Sequence, residues 1–249
     1  MQDDGRQPQA PLKGRLADVY IPALVAGALD ALSHRLGNRA TIDDPIYGRA
    51  TTLPSLEPLV TQIAHYFSEI RASYRHTYST TGVDRDAAEG VLDVTVNGKT
   101  RLLPVVVMAE RRKLREIELR VYYANDGHTP RKTRSPFVTE NQTDPLPPLV
   151  AGIVDALRAG AVDQMLASFE ETAKVVDSDG HTHEKRDGAM EKFFAELGKV
   201  EILTGPVADD GRACCLETTM TRGTRSFAGL FCFERGDSGL VRELRLYWD

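Results

Sequence analysis

The chain has 249 residues, too many for one small domain and about right for one large domain or two compact ones. With 41% hydrophobic and 27% charged residues, wholesale disorder, collagen-like repeats and coiled coil are excluded, and no apolar run approaches the roughly 18 residues of a membrane span. A formal charge of −5 speaks against a nucleic-acid partner; the polar stretch 1–14 predicts no targeting signal, and the odd set Cys214, Cys215 and Cys232 predicts a reduced, cytoplasmic setting.

The first predicted element is a helix over 16–36. Pro54 and Pro58 introduce a second helix over 56–71. Strands are predicted over 74–83, 90–97, 100–111 and 114–123, with Asn97-Gly98 as a strong hairpin signal. Alternation along the first of these strands puts Tyr74, His76 and Tyr78 on one face. Residues 124–146, ANDGHTPRKTRSPFVTENQTDPL, show no apolar period and read as an exposed linker with a strand-like patch at Phe137 and Val138.

Pro147 and Pro148 open the next helix, where Leu149, Ile153, Ala156 and Leu157 share a face and Gly160 ends the run. A short helix over 162–169 and another over 187–197 follow, the latter with Met190, Phe193, Phe194 and Leu197 on one side. Four strands close the chain, over 200–207, 212–222, 225–234 and 240–248, with turn residues between them.

The order of elements repeats, and so does the sequence. Residues 22–32, PALVAGALDAL, and 147–157, PPLVAGIVDAL, share eight of eleven positions at a spacing of 125. ELRVYY at 118–123 and ELRLYW at 243–248 are related at the same spacing. A tandem duplication follows, with domains over 16–123 and 147–249. Leu32 and Ala40 lie much closer together than Leu157 and Ala173, which predicts that the first half has lost most of the short second helix. Helices followed by a strand meander predict an α+β class, with helices packed on one face of a curved antiparallel sheet.

ATIDDPIYG at 40–48 resembles the ATVEDP-aromatic-G stretch of bacterial ketosteroid isomerases. GKVEILTGPV at 198–207 is similar to the next strand of that family, and RELRLYWD at 242–249 to its last. Together these resemble nuclear transport factor 2-like, or SnoaL-like, domains. The resemblance implies two cone-shaped α+β rolls of cystatin-like type, paired within the chain as a pseudo-dimer, with further oligomerisation open. It also implies a small hydrophobic molecule as partner; the net charge and the lack of a long apolar run predict neither nucleic acid nor membrane as one.

In the isomerase the Asp before Pro is the general base, a role the resemblance carries onto Asp44. Counted without gaps from Gly160, the second-half position is Asp177, where Ser178 replaces the Pro. A carboxylate at the mouth of an apolar pocket suits acid/base work because partial burial raises its pKa. The alternative for both is an Asp that caps a turn. The isomerase also holds its enolate with a helical tyrosine and a protonated late-strand Asp, a site that serves as a standard example of this chemistry. Here those positions read Ala28 and Ile153, and Val107 and Gly229. Each missing donor costs about 3–4 kcal/mol, which excludes authentic ketosteroid isomerisation.

The resemblance then implies a small-molecule enzyme acting on an apolar oxygenated metabolite, such as a polyketide or terpenoid intermediate. Cyclase, epoxide hydrolase or isomerase-like chemistry would be carried by Asp44 or Asp177, with Tyr47, Tyr66, Tyr123, Phe193, Leu244 and Trp248 lining the pocket. The alternative is a non-catalytic ligand-binding or structural pseudo-dimer. His181 and His183 lie two apart with no evident carboxylate partner, so no metal is expected, and no motif calls for a cofactor. On the last strands, alternation puts Leu119, Val121 and Tyr123, like Leu244, Leu246 and Trp248, on one face, which the resemblance implies is turned to the cone. Their neighbours predict that Glu118 and Arg245, and Arg120 and Glu243, lie near a pseudo-two-fold interface where opposite charges can meet.

Overall fold

The computed structural model describes residues 12–96, 98–112, 116–125, 138, 140 and 145–248. In the first half, α1 (Leu16–Val25), α2 (Leu29–Leu36) and the short 3-10 turn Gly37–Arg39 lead into β1 (Ala40–Asp44) and β2 (Gly48–Ala50). Next come α3 (Leu53–Glu69), β3 (Ser73–Thr81), β4 (Arg85–Val96), β5 (Lys99–Arg111) and β6 (Ile117–Tyr123). The second half repeats the order with α4 (Pro148–Ala159), α5 (Val162–Ala167), β7 (Phe169–Val176), β8 (Thr182–Glu184) and α6 (Ala189–Leu197). It ends with β9 (Glu201–Asp209), β10 (Ala213–Arg222), β11 (Arg225–Arg235) and β12 (Val241–Trp248).

Each half forms one six-stranded sheet, ordered β2-β1-β6-β5-β4-β3 and β8-β7-β12-β11-β10-β9. The sheets are antiparallel except where β1 joins β6 and β7 joins β12 in parallel. The short hairpins β1–β2 and β7–β8 were hidden in the sequence, because three-residue partner strands carry no readable alternation. Helices cover one face of each sheet and close two separate apolar cores. One is built around Ile21, Leu24, Ile63, Phe67 and Val121, the other around Ile153, Phe169, Phe194, Phe231 and Leu244.

The predicted helix 16–36 is two helices. Gly27 has φ +66° and ends α1 as Gly160, with φ +68°, ends α4. Gly27 is therefore the counterpart of Gly160, and α2 is the counterpart of α5. The PALVAGALDAL match, which pairs Gly27 with Gly152, is out of structural register by eight residues. The first half has not lost its second helix: α2 has 8 residues and α5 has 6. The late-strand match is in register, since β5–β6 and β11–β12 pair alike: Val107 lies opposite Val121, and Phe231 opposite Leu246.

The outer faces of the two sheets meet. Their shared apolar centre joins Ala87, Val106, Met108 and Tyr122 to Ala208, Cys215, Leu230, Cys232 and Tyr247. Around it lie two copies of one ionic arrangement. Arg120 grips Glu217 of the other half with two hydrogen bonds, 2.5 and 2.6 Å, and Tyr122 donates to the same carboxylate at 2.7 Å. Arg245 grips Glu89 at 2.6 and 2.9 Å, with the Tyr247 hydroxyl donating at 3.5 Å. The predicted cross pairs are corrected: Glu118 and Glu243 lie 3.2 Å from Arg120 and Arg245 of their own halves. The strands run so that each arginine points past its neighbour to a carboxylate on the facing β4 or β10. The Glu217 and Glu89 partners could not be read from the last strands alone.

Tyr74, His76 and Tyr78 do not share a face. A bulge between His76 and Tyr78 shifts the register, so Tyr78 lies opposite Glu89 and its ring stacks under the Arg245 guanidinium, 4.6 Å from the ring centre. Tyr74 stays on the core side and packs across Gly90, where any Cβ would collide with its ring.

The interface carboxylates predict an acid sensitivity. Burial would raise the Glu110 pKa, but the Arg120, Arg112 and Arg85 guanidiniums outweigh it and hold it below its ordinary value. Glu234 is depressed likewise: burial is overcome by hydrogen bonds from Arg242 and Tyr78 and by the charge of Arg245. A depressed folded pKa gives stability that is present above the unfolded value of about 4.3 and is lost as pH falls through the folded one. Urea midpoints measured from pH 7 to 3 should therefore show Glu110→Gln less stable than the native chain at neutral pH, with the gap closing below about pH 4. A gap independent of pH would refute this linkage.

Candidate functional site

Asp44 closes β1, and its carboxylate is 1% exposed. One oxygen accepts from the backbone N–H groups of Ile46 and Tyr47 at 2.8 and 3.0 Å, the turn-capping use of Asp. The other accepts the Tyr123 hydroxyl at 3.0 Å. So the carboxylate both caps its turn and faces the cone. Tyr47 and Tyr66, half-buried and in edge contact at 5.8 Å between ring centres, lie beside it. Of the sequence-predicted residues, the fold thus gathers Asp44, Tyr47, Tyr66 and Tyr123.

Tyr20 joins them from α1. Aligning the halves on Gly27 and Gly160 places Tyr20, not Ala28, opposite Ile153, so the helical tyrosine read as missing is present in the first half. The signal in the sequence was the helix-ending glycine; the stronger PALVAGALDAL match hid it. The Tyr20 side chain is fully buried, and its hydroxyl has no hydrogen-bond partner among the described residues. Burial and then the Asp44 charge push the Tyr20 pKa well up, and the same two causes in the same order raise that of Tyr123. Both phenols are therefore protonated donors at any physiological pH. An unsatisfied buried hydroxyl costs about 1–3 kcal/mol. Tyr20→Phe is thus expected to keep or raise the unfolding free energy, by up to that amount, in a urea titration; a loss above about 1 kcal/mol would show that the hydroxyl is structurally engaged.

The late-strand position is also shifted. Gly229 lies opposite Trp248 and Val105 opposite Tyr123, so the counterpart of Gly229 is Val105 rather than Val107. Neither offers a side-chain donor.

Asp177 is the true counterpart of Asp44. Asp43 pairs with Arg120 and Val176 with Arg245, so each Asp follows the equivalent strand position. Its carboxylate accepts from the N–H groups of Asp179 and His181 at 3.0 and 2.9 Å, and its second oxygen lies 2.9 Å from His183 Nε2. Burial would raise its pKa, but the His183 hydrogen bond and the His181 contacts reverse the direction and hold it low. The His183 ring stacks on Phe193, with centres 4.5 Å apart. Trp248 occupies the Tyr123 position and, with Leu197, Val200, Met220 and Phe227, lines an apolar cavity of about 170 Å³. Leu244 is fully buried in the core. The second half thus keeps the carboxylate but not the phenols, and has gained His183, which the sequence reading left without a partner.

No protein-family model and no curated protein matches the sequence. Solved structures resemble it one half at a time. An NTF2-like protein of unknown function from Cytophaga hutchinsonii is 14% identical over 43% of this chain and 95% of its own, with a TM-score of 0.36. A candidate ketosteroid isomerase from Kribbella flavida is 20% identical over 41% of this chain and 75% of its own, with a TM-score of 0.37. The epoxide hydrolase/cyclase-like enzyme SalBIII, from pyran ring formation in the polyether salinomycin, is 18% identical over 41% and 88%, with a TM-score of 0.36. The strand order, the single parallel pairing and the helices on one face decide the architecture. Each half has the nuclear transport factor 2-like fold. Among the described residues, no helix is long and apolar enough to cross a membrane. The two NTF2-like halves are joined sheet to sheet as an intrachain pseudo-dimer.

Proposed function

We propose that the first NTF2-like half is an acid/base catalyst for a small apolar molecule bearing an oxygen function, such as a ketone or an epoxide. The observation that carries this is the sealed Asp44 carboxylate with two protonated phenols around it, one hydrogen-bonded and the other with an unsatisfied hydroxyl. Asp44 accepts a proton from carbon or from attacking water. Tyr20, whose hydroxyl is unengaged, donates to the oxygen on which negative charge develops, while Tyr123 holds the Asp44 carboxylate in place. Tyr47 and Tyr66 supply the apolar, half-exposed flank. Isomerase-like, cyclase and epoxide-opening steps all use this set. The resemblance of single halves to isomerase-like and epoxide hydrolase/cyclase-like proteins agrees with it and adds no specific activity.

The apolar cavity by Trp248 favours a second role for the other half: holding an apolar ligand without transforming it. A screen of both binding and turnover against hydrophobic ketones and epoxides, run on the native chain and on Asp44→Asn and Asp177→Asn, tests both assignments. Loss in Asp44→Asn alone supports the first half as the catalytic one. Turnover unchanged in both variants would sink the acid/base role.

A further inference from the structure

The turn between β7 and β8 concentrates metal-binding side chains. Asp177, Asp179 and His181 place a carboxylate oxygen or ring nitrogen each within 4.8 Å of the other two. The second oxygen of Asp177 lies 3.4 Å from His181 Nδ1 and 2.9 Å from His183 Nε2. Tetrahedral coordination with bonds of about 2.0–2.2 Å separates neighbouring ligand atoms by about 3.4 Å. The Asp177 and His181 atoms already stand at that separation, with no ion needed to draw them in.

The duplicated half supplies an independent comparison. The β1–β2 turn has the same backbone design, with Asp44 capping the N–H groups two and three residues on, as Asp177 caps those two and four on. Yet it carries Ile46, Gly48 and Ala50 where the second turn carries Asp179, His181 and His183. The hairpin therefore forms without these donors. Asp179 and His181 are exposed, so they add little to the core. The turn is also held from outside: Asn125 donates its backbone N–H to the Ser178 carbonyl at 2.5 Å and its side-chain amide to Asp179 at 2.7 Å.

We propose that this turn is a site for a divalent transition metal of the zinc class, ligated by Asp177, Asp179 and His181. His183 stands behind Asp177 as the hydrogen-bonding partner that orients the ligating carboxylate, and Phe193 fixes the His183 ring by stacking. Mixed carboxylate and imidazole donors suit Zn²⁺, Co²⁺ or Ni²⁺ better than Ca²⁺ or Mg²⁺, which take oxygen. Three protein ligands leave a coordination position for water or a substrate oxygen. Asp177 and Gly180 also contribute to the wall of a cavity of about 290 Å³ between the two halves, along with Lys174, Glu89 and Tyr78. The site thus lies where the NTF2-like halves meet.

Titrating the full chain with Zn²⁺ by calorimetry, and with Co²⁺ by visible absorption, tests the site. One equivalent should bind, with Co²⁺ showing the intense bands of a low-coordinate complex, and Asp179→Asn and His181→Ala should each weaken binding at least tenfold. Both residues are exposed, so unchanged melting of the metal-free variants is expected and separates ligand loss from misfolding. Absence of saturable binding to the native chain, or undiminished binding in both variants, would overturn the proposal.

Discussion

Arg120→Ala is expected to lower the free energy of unfolding by about 3–5 kcal/mol, the usual result of removing one partner from a buried ion pair. Arg120 is 1% exposed and Glu217 is fully buried. Burial disfavours the guanidinium charge, and Glu217, followed by the weaker contacts, more than restores it. Deleting the arginine strands Glu217 beside the Tyr122 hydroxyl, and also removes the 2.9 Å contact to Glu110. Arg245→Ala should cost a similar amount, because Glu89 holds the same place in the other copy. A surface pair sets the scale: Asp155→Ala breaks the 3.2 Å contact between Arg158 and an Asp155 side chain 73% exposed while leaving the Arg158 bonds to the Ile202 carbonyl, and that ion pair is worth at most about 1 kcal/mol. Urea unfolding of the three variants decides the matter. A loss below 1 kcal/mol for Arg120→Ala would mean that water enters the interface and solvates Glu217. Replacing Arg120 and Glu217 together by Met and Leu should recover much of the loss, since it leaves no stranded partner in that pair.

How much of this was legible in the sequence depended on the range of the interaction. The late strands were readable because ELRVYY and ELRLYW keep strict alternation, and their cone-facing and interface-facing residues came out on the expected sides. Arg120 and Arg245 were therefore placed at the interface correctly. Their acceptors, Glu217 and Glu89, belong to strands distant in sequence, and no local pattern singles them out. Tyr78 went to the wrong face because a bulge adds one residue to the count, which a period-two rule cannot register. Tyr20 was missed for a different reason. Two amphipathic helices of similar composition can match well at the wrong offset, and the physical marker of register was the left-handed glycine that ends each helix. Asp44 and Asp177 were found from a resemblance and fell on equivalent sites, yet their surroundings differ: phenols in one, imidazoles in the other. Those partners arrive from β6 and β8, so the two environments exist only in the folded chain.

Asp44→Asn should therefore separate chemistry from structure in a way that few core substitutions do. The amide oxygen of Asn can still accept from the Ile46 and Tyr47 N–H groups, so the turn keeps its cap. The amide nitrogen would meet the Tyr123 oxygen, a hydroxyl able to accept as well as donate. Melting should shift little, while the proton acceptor is gone. On any ketone or epoxide that the native chain turns over, the rate is expected to fall by about 10²–10⁴, the usual share of a positioned general base. Adding Tyr20→Phe tests whether the two groups act together. If the phenol stabilises the charge that Asp44 creates, the double variant should be little slower than Asp44→Asn alone, because groups that serve one transition state lose their effects jointly. Losses that simply multiply would instead assign Tyr20 to binding. A normal rate in Asp44→Asn, with a fall in Asp177→Asn, would move the chemistry to the second half and to the carboxylate that His183 holds.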